Sequence, residues 1–540
     1  MNGLSDYVIV GAGSAGCVLA SRLSEDPRVT VTLIEAGPSD RAGWSFSRLR
    51  SSLPLQVPAG FAKAMLDPAV TWPYLTEPDV SSAGRVHYWP RGKVLGGCSS
   101  INGLLYVRGQ RQDYDDWQRL GCPGWGWNDV SSCFQRIERR TLAPNNEGAI
   151  HIAPVVEQHP VSDALLAACS EAGIPRTADY NGPEQEGAGW FELTIRNGWR
   201  QSAAVAYLHP ALRRTNLRVI TGAMVNKIRL DGKRAVGVSF QLERETFDLD
   251  ARREVILAAG AINSPQLLML SGIGPAAELA QFGIPVVSDS PEVGRNLQDH
   301  YTIYNEFQLR PEVPSLNAAS RRPGREALRY LLQRRGLLTS AAAQVAIFLR
   351  SEEGLSRPDL QFHGLPATLA RDARGVARGP LAQDPGLTLT GCRLRPSSRG
   401  HVRLRSPSPN DAPSIVANYL STPDDQYAAV LACRWARRIA QQPSLARLIR
   451  SETFPGKPTE SDEAILDWAL ASGGTVYHPV GTCRMGSDPE SVVDSMLRVR
   501  EVDALRVIDA SIMPQITSGN TNAPAMMIGE RGSELVRQTT

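Results

Sequence analysis

The N-terminal segment constrains the fold more than any other part of the chain. Asp6-Tyr-Val-Ile-Val10 is a short β-branched run that ends in Gly11-Ala-Gly13-Ser-Ala-Gly16 and passes into Cys17–Leu23, whose apolar spacing is helical. This order predicts strand, glycine turn and helix in direct succession. Gly11 suits the tight turn, Gly13 lets backbone approach a pyrophosphate, and Gly16 lets helix and strand pack closely. A diphosphate would rest on the free N–H groups at the start of that helix. A second strand, Val29–Ile34, ends at Glu35, about 20 residues past the turn, where an acid accepts hydrogen bonds from an adenosine ribose. The pattern points to a dinucleotide and leaves NAD and FAD undecided.

Composition bounds the remainder. A chain of 540 residues predicts two or three folding units at about 100–200 residues each. With 42% hydrophobic and 21% charged residues it resembles an ordinary globular protein and excludes disordered, collagen-like and disulfide-scaffold classes. The 58 basic and 55 acidic residues leave +3, too little to make nucleic acid the main partner. Eight cysteines occur without a C-x-x-C pair, so zinc-ribbon, thioredoxin-type and c-type haem sites are unsupported and no metal is expected. Neither a secretory leader nor an apolar run of about 18 residues is legible, which predicts a cytoplasmic protein without a transmembrane segment. One basic helix, Arg325–Arg335, carries Leu328, Leu331 and Leu332. We read it as a solvated amphipathic helix, with a membrane-surface or partner site as the alternative, so peripheral contact at the inner membrane face stays open.

Between these landmarks the texture changes several times. A proline-punctuated stretch beyond residue 40 ends in Arg91-Gly-Lys-Val-Leu-Gly-Gly97-Cys-Ser-Ser-Ile-Asn102-Gly103, where small residues let backbone come close to something flat or charged. Helix Ser162–Ala172 is followed by strands Asn216–Thr221, Val225–Leu230, Ala235–Phe240 and Glu254–Gly260, with Asp231-Gly232 as a hairpin signal. Ser264–Leu270 reads as a buried helix opened by Pro265. Residues 301–474 differ in texture, with Leu387–Leu394 and Gly400–Leu404 strand-like. Near the C-terminus, His478 stands in an irregular, proline-flanked segment suited to acid–base work. Asn522 and Pro524 suit the start of a terminal helix, whose positive end would face an anionic ligand.

Taken in order, these motifs resemble the glucose-methanol-choline (GMC) oxidoreductase family. The resemblance rests on Arg91 through Asn102, Gly260 through Gly274, Val293 through His300, Tyr477-His478-Pro479 and the final Asn520-Thr-Asn522-Ala-Pro524 run. It implies an α/β (α+β) chain in which a Rossmann-like FAD-binding domain (1–160, 200–300 and 475–540) interleaves with a substrate domain (161–199 and 301–474) built on an antiparallel sheet flanked by helices. It implies FAD, bound non-covalently because Ile101 stands where choline oxidases attach the flavin to a His.

By the same resemblance, Gly11, Gly13, Ser14, Ala15, Gly16, Glu35 and Ala36 hold the ADP half of the cofactor. Val94, Gly97, Ser99, Asn102 and Gly103 run along its middle, Val225 lies near the adenine, and Asp509, Ala510, Asn520 and Asn522 reach the phosphate, ribityl and flavin regions. His478 is the catalytic base and Asn520 its paired position, with Tyr477 beside them toward the substrate. Asp509 has a second reading as a cap, and His300 reads as structural, satisfied by local backbone. Choline oxidisers place a Glu where this chain has Thr302, which disfavours choline. The implied activity is oxidation of a primary alcohol or polyol to the aldehyde by hydride transfer to flavin N5, with electrons leaving to a separate quinone-type or other acceptor. An alcohol oxidase using O2 is the alternative. Behind it stand a lyase or fatty-acid photodecarboxylase of the same family, and a cofactor-binding protein without catalysis.

Overall fold

The computed structural model describes residues 3–41, 52–141, 147–371, 377–456 and 458–538. Two sheets organise it. The first has seven strands, in the order Leu217–Thr221, Val31–Glu35, Gly3–Val10, Glu245–Leu257, Arg234–Leu242 and Ala223–Asp231, with Leu505–Val507 also paired to Glu245–Leu257. Its N-terminal strands run parallel, with Val10 opposite Ile34 and Leu257. Gly3–Val10 and Val31–Glu35 are almost wholly buried, as an uninterrupted β-branched run covered on both faces should be. The hairpin expected at Asp231-Gly232 forms: Asp231 pairs with Arg234, and Gly232 takes φ +55°.

The second sheet is antiparallel throughout. Its order is Ile449–Phe454, Tyr301–Leu309, Gly386–Arg393, Leu360–Leu365, Val345–Leu349 and Gly187–Trp190, and Gly474–Thr475 also pairs with Tyr301 and Thr302. Helices Pro160–Glu171, Pro423–Ala440 and Asp462–Ser472 contribute to the hydrophobic core against it. In Pro423–Ala440 the buried residues Ala429, Ala432, Cys433 and Ala436 recur at three- and four-residue spacing, which lays one stripe on the sheet.

Two local expectations need correction. The strand read through Gly260 stops at Leu257, and the helix read from Ser264 starts at Gly260, placing Pro265 inside it. Proline lacks the N–H that would bond the carbonyl four residues back. That carbonyl, on Ala261, instead accepts a 2.6 Å hydrogen bond from the Thr482 hydroxyl, so a distant residue repairs the helix. The stretch before Arg91 is also less irregular than its prolines suggest: Thr71–Leu75 and Tyr88–Gly92 pair as an antiparallel ribbon. No helix among the described residues is long and apolar enough to cross a membrane.

Candidate active site

A cavity of about 860 Å³ runs between the two sheets, large enough for a bulky ligand. Its first end is made by two glycine turns in contact. Gly16 packs so tightly that a Cβ there would stand 1.9 Å from the Gly11 carbonyl oxygen. Gly97, at φ +51°, lies so close that its Cβ would be 2.6 Å from Gly13 Cα. Helix Ser14–Leu23 opens onto this floor without a side-chain cap or an acid in its first turn, leaving its N–H groups and partial positive charge to a ligand.

Helix Asn522–Gln538 points its own start at the same cavity, also without an acid in the first turn. The two helices are locked together. Arg22 Nε and Nη2 donate to the Glu530 carboxylate at 2.8–3.0 Å, Tyr207 donates to it at 2.9 Å, and Ser14 Oγ donates to Asn522 Oδ1 at 2.8 Å. Two helix N-termini and a floor without side chains fit the diphosphate of FAD.

Most of the residues expected to hold the cofactor line this cavity: Gly11, Gly13, Ser14, Ala15, Glu35, Ala36, Gly97, Asn102, Gly103, Val225, Asp509, Ala510, Asn520 and Asn522, together with Tyr477 and His478. Three do not. Gly16 serves helix packing, Val94 is wholly buried in a small apolar cluster, and Ser99 spends its hydroxyl on the Gly96 carbonyl and the Ala203 N–H. Glu35 accepts from the N–H groups of Ala12 and Gly37 at 2.8 and 2.9 Å, and burial pushes its carboxyl up to about 7. Asp509 has the capping role: it accepts from Gly260 N, Ser264 Oγ and Ser511 N, joining helix Gly260–Leu270 to the turn at Ala510.

The other end of the cavity is built from side chains. His478 Nε2 lies 3.1 Å from Asn520 Nδ2, and Asn520 Oδ1 accepts from Gln361 Nε2 at 3.1 Å, which fixes the way the amide points. On the far side of the ring, His478 Nδ1 lies 3.0 Å from His300 Nδ1, and His300 Nε2 lies 2.8 Å from the Leu394 carbonyl. A carbonyl only accepts, so His300 Nε2 carries its proton. Burial holds His300 down at about 4, so the ring is neutral and its Nδ1 is bare. His478 must then donate from Nδ1, which leaves a lone pair on Nε2. Burial first, then the neighbouring His300, His363 and Arg91, holds His478 well below the ordinary imidazole value. The network therefore presents a neutral imidazole with a bare Nε2 to Asn520 and the cavity.

The expectation that local backbone satisfies His300 is thus corrected: its partners are a carbonyl 94 residues away and the candidate base 178 residues away. Asp299 was not singled out from the sequence, yet it anchors the same segment, accepting from His478 N at 2.7 Å, Thr475 Oγ1 at 2.5 Å and the Tyr419 hydroxyl. Tyr477, with φ +66°, is held in this left-handed turn by Thr475 Oγ1 on its N–H and by Arg91 Nη2 on its carbonyl.

His363 and Gln361 were also missed. Both project from strand Leu360–Leu365 at a spacing of two, which puts them on one face. His363 lines the cavity, burial lowers it to about 4, and its Nδ1 has no hydrogen-bond partner. The signal available in the sequence was a Gln-x-His alternation inside a short apolar run.

Comparison with known proteins agrees with this geometry. Two profiles described as GMC oxidoreductase match residues 5–302 and 396–529. The alcohol dehydrogenase [acceptor] of Pseudomonas putida is 41% identical over 98% of this chain and 95% of its own. Human mitochondrial choline dehydrogenase is 42% identical over 98% of this chain and 89% of its own. The crystal structure of pyridoxine 4-oxidase from Mesorbium loti superposes with a TM-score of 0.87 at 32% identity, over 98% of both chains.

Proposed function

Since the chain belongs to the GMC oxidoreductase family, we propose that it uses non-covalently bound FAD to oxidise a primary alcohol or polyol to the aldehyde, with a quinone-type or other non-oxygen electron acceptor. The observation that carries the reading is the bare Nε2 of His478 facing Asn520 in the cavity wall. FAD supplies the acceptor of the hydride that leaves the carbinol carbon. The chain's own residues do the rest. His478 Nε2 takes the hydroxyl proton, because His300 already occupies Nδ1 and the ring is neutral near pH 7. Asn520 has no basic atom to offer. Its Nδ2–H donates to the alcohol oxygen as negative charge grows there. His363 lines the same cavity, and burial keeps its ring neutral. The start of helix Asn522–Gln538, with no acid in its first turn, favours negative charge at the junction of the two ends.

Thr302 lines the cavity and turns its hydroxyl to the Gly391 carbonyl at 3.0 Å. Among the described residues the cavity's acids are Glu35 and Asp509, and both bond to backbone and side-chain donors rather than standing free to meet a quaternary ammonium. This favours a neutral alcohol over choline.

The test is an anaerobic screen in the dark, in which primary alcohols, polyols, aryl alcohols and choline are mixed with FAD-loaded protein and loss of oxidised-flavin absorbance is followed. Fast bleaching by a neutral primary alcohol supports the reading; bleaching by choline alone contradicts it. If no alcohol bleaches the flavin but blue light releases CO2 from fatty acids, the oxidoreductase reading is wrong. Similarity to pyridoxine 4-oxidase favours O2 as a second reading for the acceptor. Stopped-flow reoxidation in air separates the two, since rapid peroxide formation rules out the dehydrogenase.

A further inference from the structure

Helix Pro323–Gln333 is mounted with its apolar side outward. Leu328, Leu331 and Leu332, spaced three and four apart, form one stripe and are 56%, 65% and 74% exposed. The opposite face carries Glu326 and Tyr330, both buried. Glu326 accepts from Leu337 N at 2.8 Å, and the Tyr330 hydroxyl donates to the Gly198 carbonyl at 2.9 Å. A solvated amphipathic helix does the reverse and lays its leucines on the core. The sequence reading of this helix as merely solvated is therefore not what the fold displays.

Exposed cations gather around the stripe. Arg321, Arg322, Arg325, Arg335 and Lys63 are exposed. Among the acids nearby, Glu326 is turned inward and Glu157 is taken by Arg329. The stripe also adjoins the cavity mouth. Leu316 and Ser320 before the helix, and Leu337 and Leu338 after it, line the cavity. The turn Leu337–Thr339 packs against Pro58–Gly60, and that segment leads to Leu66, which lines the same cavity and is 61% exposed.

We propose that this surface docks on an anionic lipid bilayer, with the leucines dipping below the headgroups, the arginines and Lys63 at phosphate level, and the cavity mouth opening at the membrane. An outward leucine stripe flanked by exposed cations, with Glu326 buried and Glu157 paired to Arg329, matches the composition of a helix lying in a bilayer interface. A mouth in that position takes an apolar alcohol directly from the lipid phase. That last step rests on the alcohol-oxidising reading, whereas docking itself does not.

The experiment is flotation of the FAD-loaded protein with vesicles of phosphatidylcholine, with or without phosphatidylglycerol, at low and high salt. Binding is expected to the anionic vesicles only and to weaken with salt. Leu331→Ser with Leu332→Ser, and separately Arg322→Glu with Arg325→Glu, should each lower the partition coefficient by about tenfold or more. Flavin content and turnover of a water-soluble alcohol should stay unchanged in both. No binding by the wild type, or binding that survives both pairs of substitutions, overturns the proposal. So does a concentration-dependent dimer that the leucine substitutions dissolve while vesicle binding is absent, which would assign the stripe to a second copy of the chain. Flotation is read without turnover, so its failure is distinct from failure of the catalytic reading.

Discussion

At the glycine end of the cavity the contact groups are backbone: two glycine turns in contact and two helix starts without an acid in the first turn. At the histidine end they are side chains, brought together from positions 42, 159 and 178 residues apart. The first end is a property of local chain geometry and tolerates little change in shape. The second is a chain of donors and acceptors in which each member fixes the proton position of the next, and it tolerates shape change better than loss of a hydrogen bond. Binding of a dinucleotide and acid–base chemistry are thus separable by mutation.

The largest effect should come from the backbone end. Gly16→Val drives new atoms into the Gly11 carbonyl and adds overpacking of about 1–3 kcal/mol to the loss of the diphosphate floor. The expected outcome is protein purified without flavin, read from the ratio of flavin to protein absorbance. Full flavin loading would erase the distinction between the two ends. Next, Asn520→Ala should keep flavin loading and lower the rate of alcohol-dependent bleaching about a hundredfold, the scale for removing one donor to developing oxyanion charge.

His300→Ala tests the relay behind the base. It should lower the rate by about 10- to 100-fold, as loss of a partner that orients a functional imidazole does, with His300→Asn recovering part of it. Because His300 helps hold His478 low, the acid limb of the kcat/KM profile should move to higher pH in His300→Ala. In the wild type that limb should lie well below 6.5. A purely structural role would leave the limb in place.

The smallest effect concerns stability. Burial lowers His300 and His363 to about 4 and lowers His478 as well. Below their ordinary value near 6.5 the unfolded chain binds protons that the folded chain refuses, so stability must fall as the pH drops from there toward about 4. Tm measured across that range should decline, and less steeply in His363→Gln.

Legibility in the sequence divides along the same line. The dinucleotide end was readable because its logic is local: a β-branched run, glycines at fixed offsets and a second strand ending in Glu35 specify geometry within one supersecondary unit. Tyr477 and Asn520 were reached only through family resemblance, which also gave His478, already conspicuous in its proline-flanked segment, the role of base; the structure brings the three together. His363, Gln361 and Asp299 were given no role there, and His300 was read as satisfied by local backbone, because contacts between chain-distant residues leave no periodic trace. The same holds for Thr482 on the Ala261 carbonyl, since the proline advertises the missing N–H but not the hydroxyl that compensates for it. Ser99 and Val94 differ the other way: the resemblance places them along the cofactor, while in this fold neither lines the cavity and both are buried within the motif.

One measurement bears most directly on the base. FAD-loaded His478→Gln, which has no proton-accepting nitrogen, is mixed anaerobically with the best primary alcohol and the bleaching rate is compared with the wild type at equal flavin content. Proton removal by His478 predicts a rate lower by about 10²- to 10⁴-fold with the flavin still bound. Bleaching at the wild-type rate would contradict it.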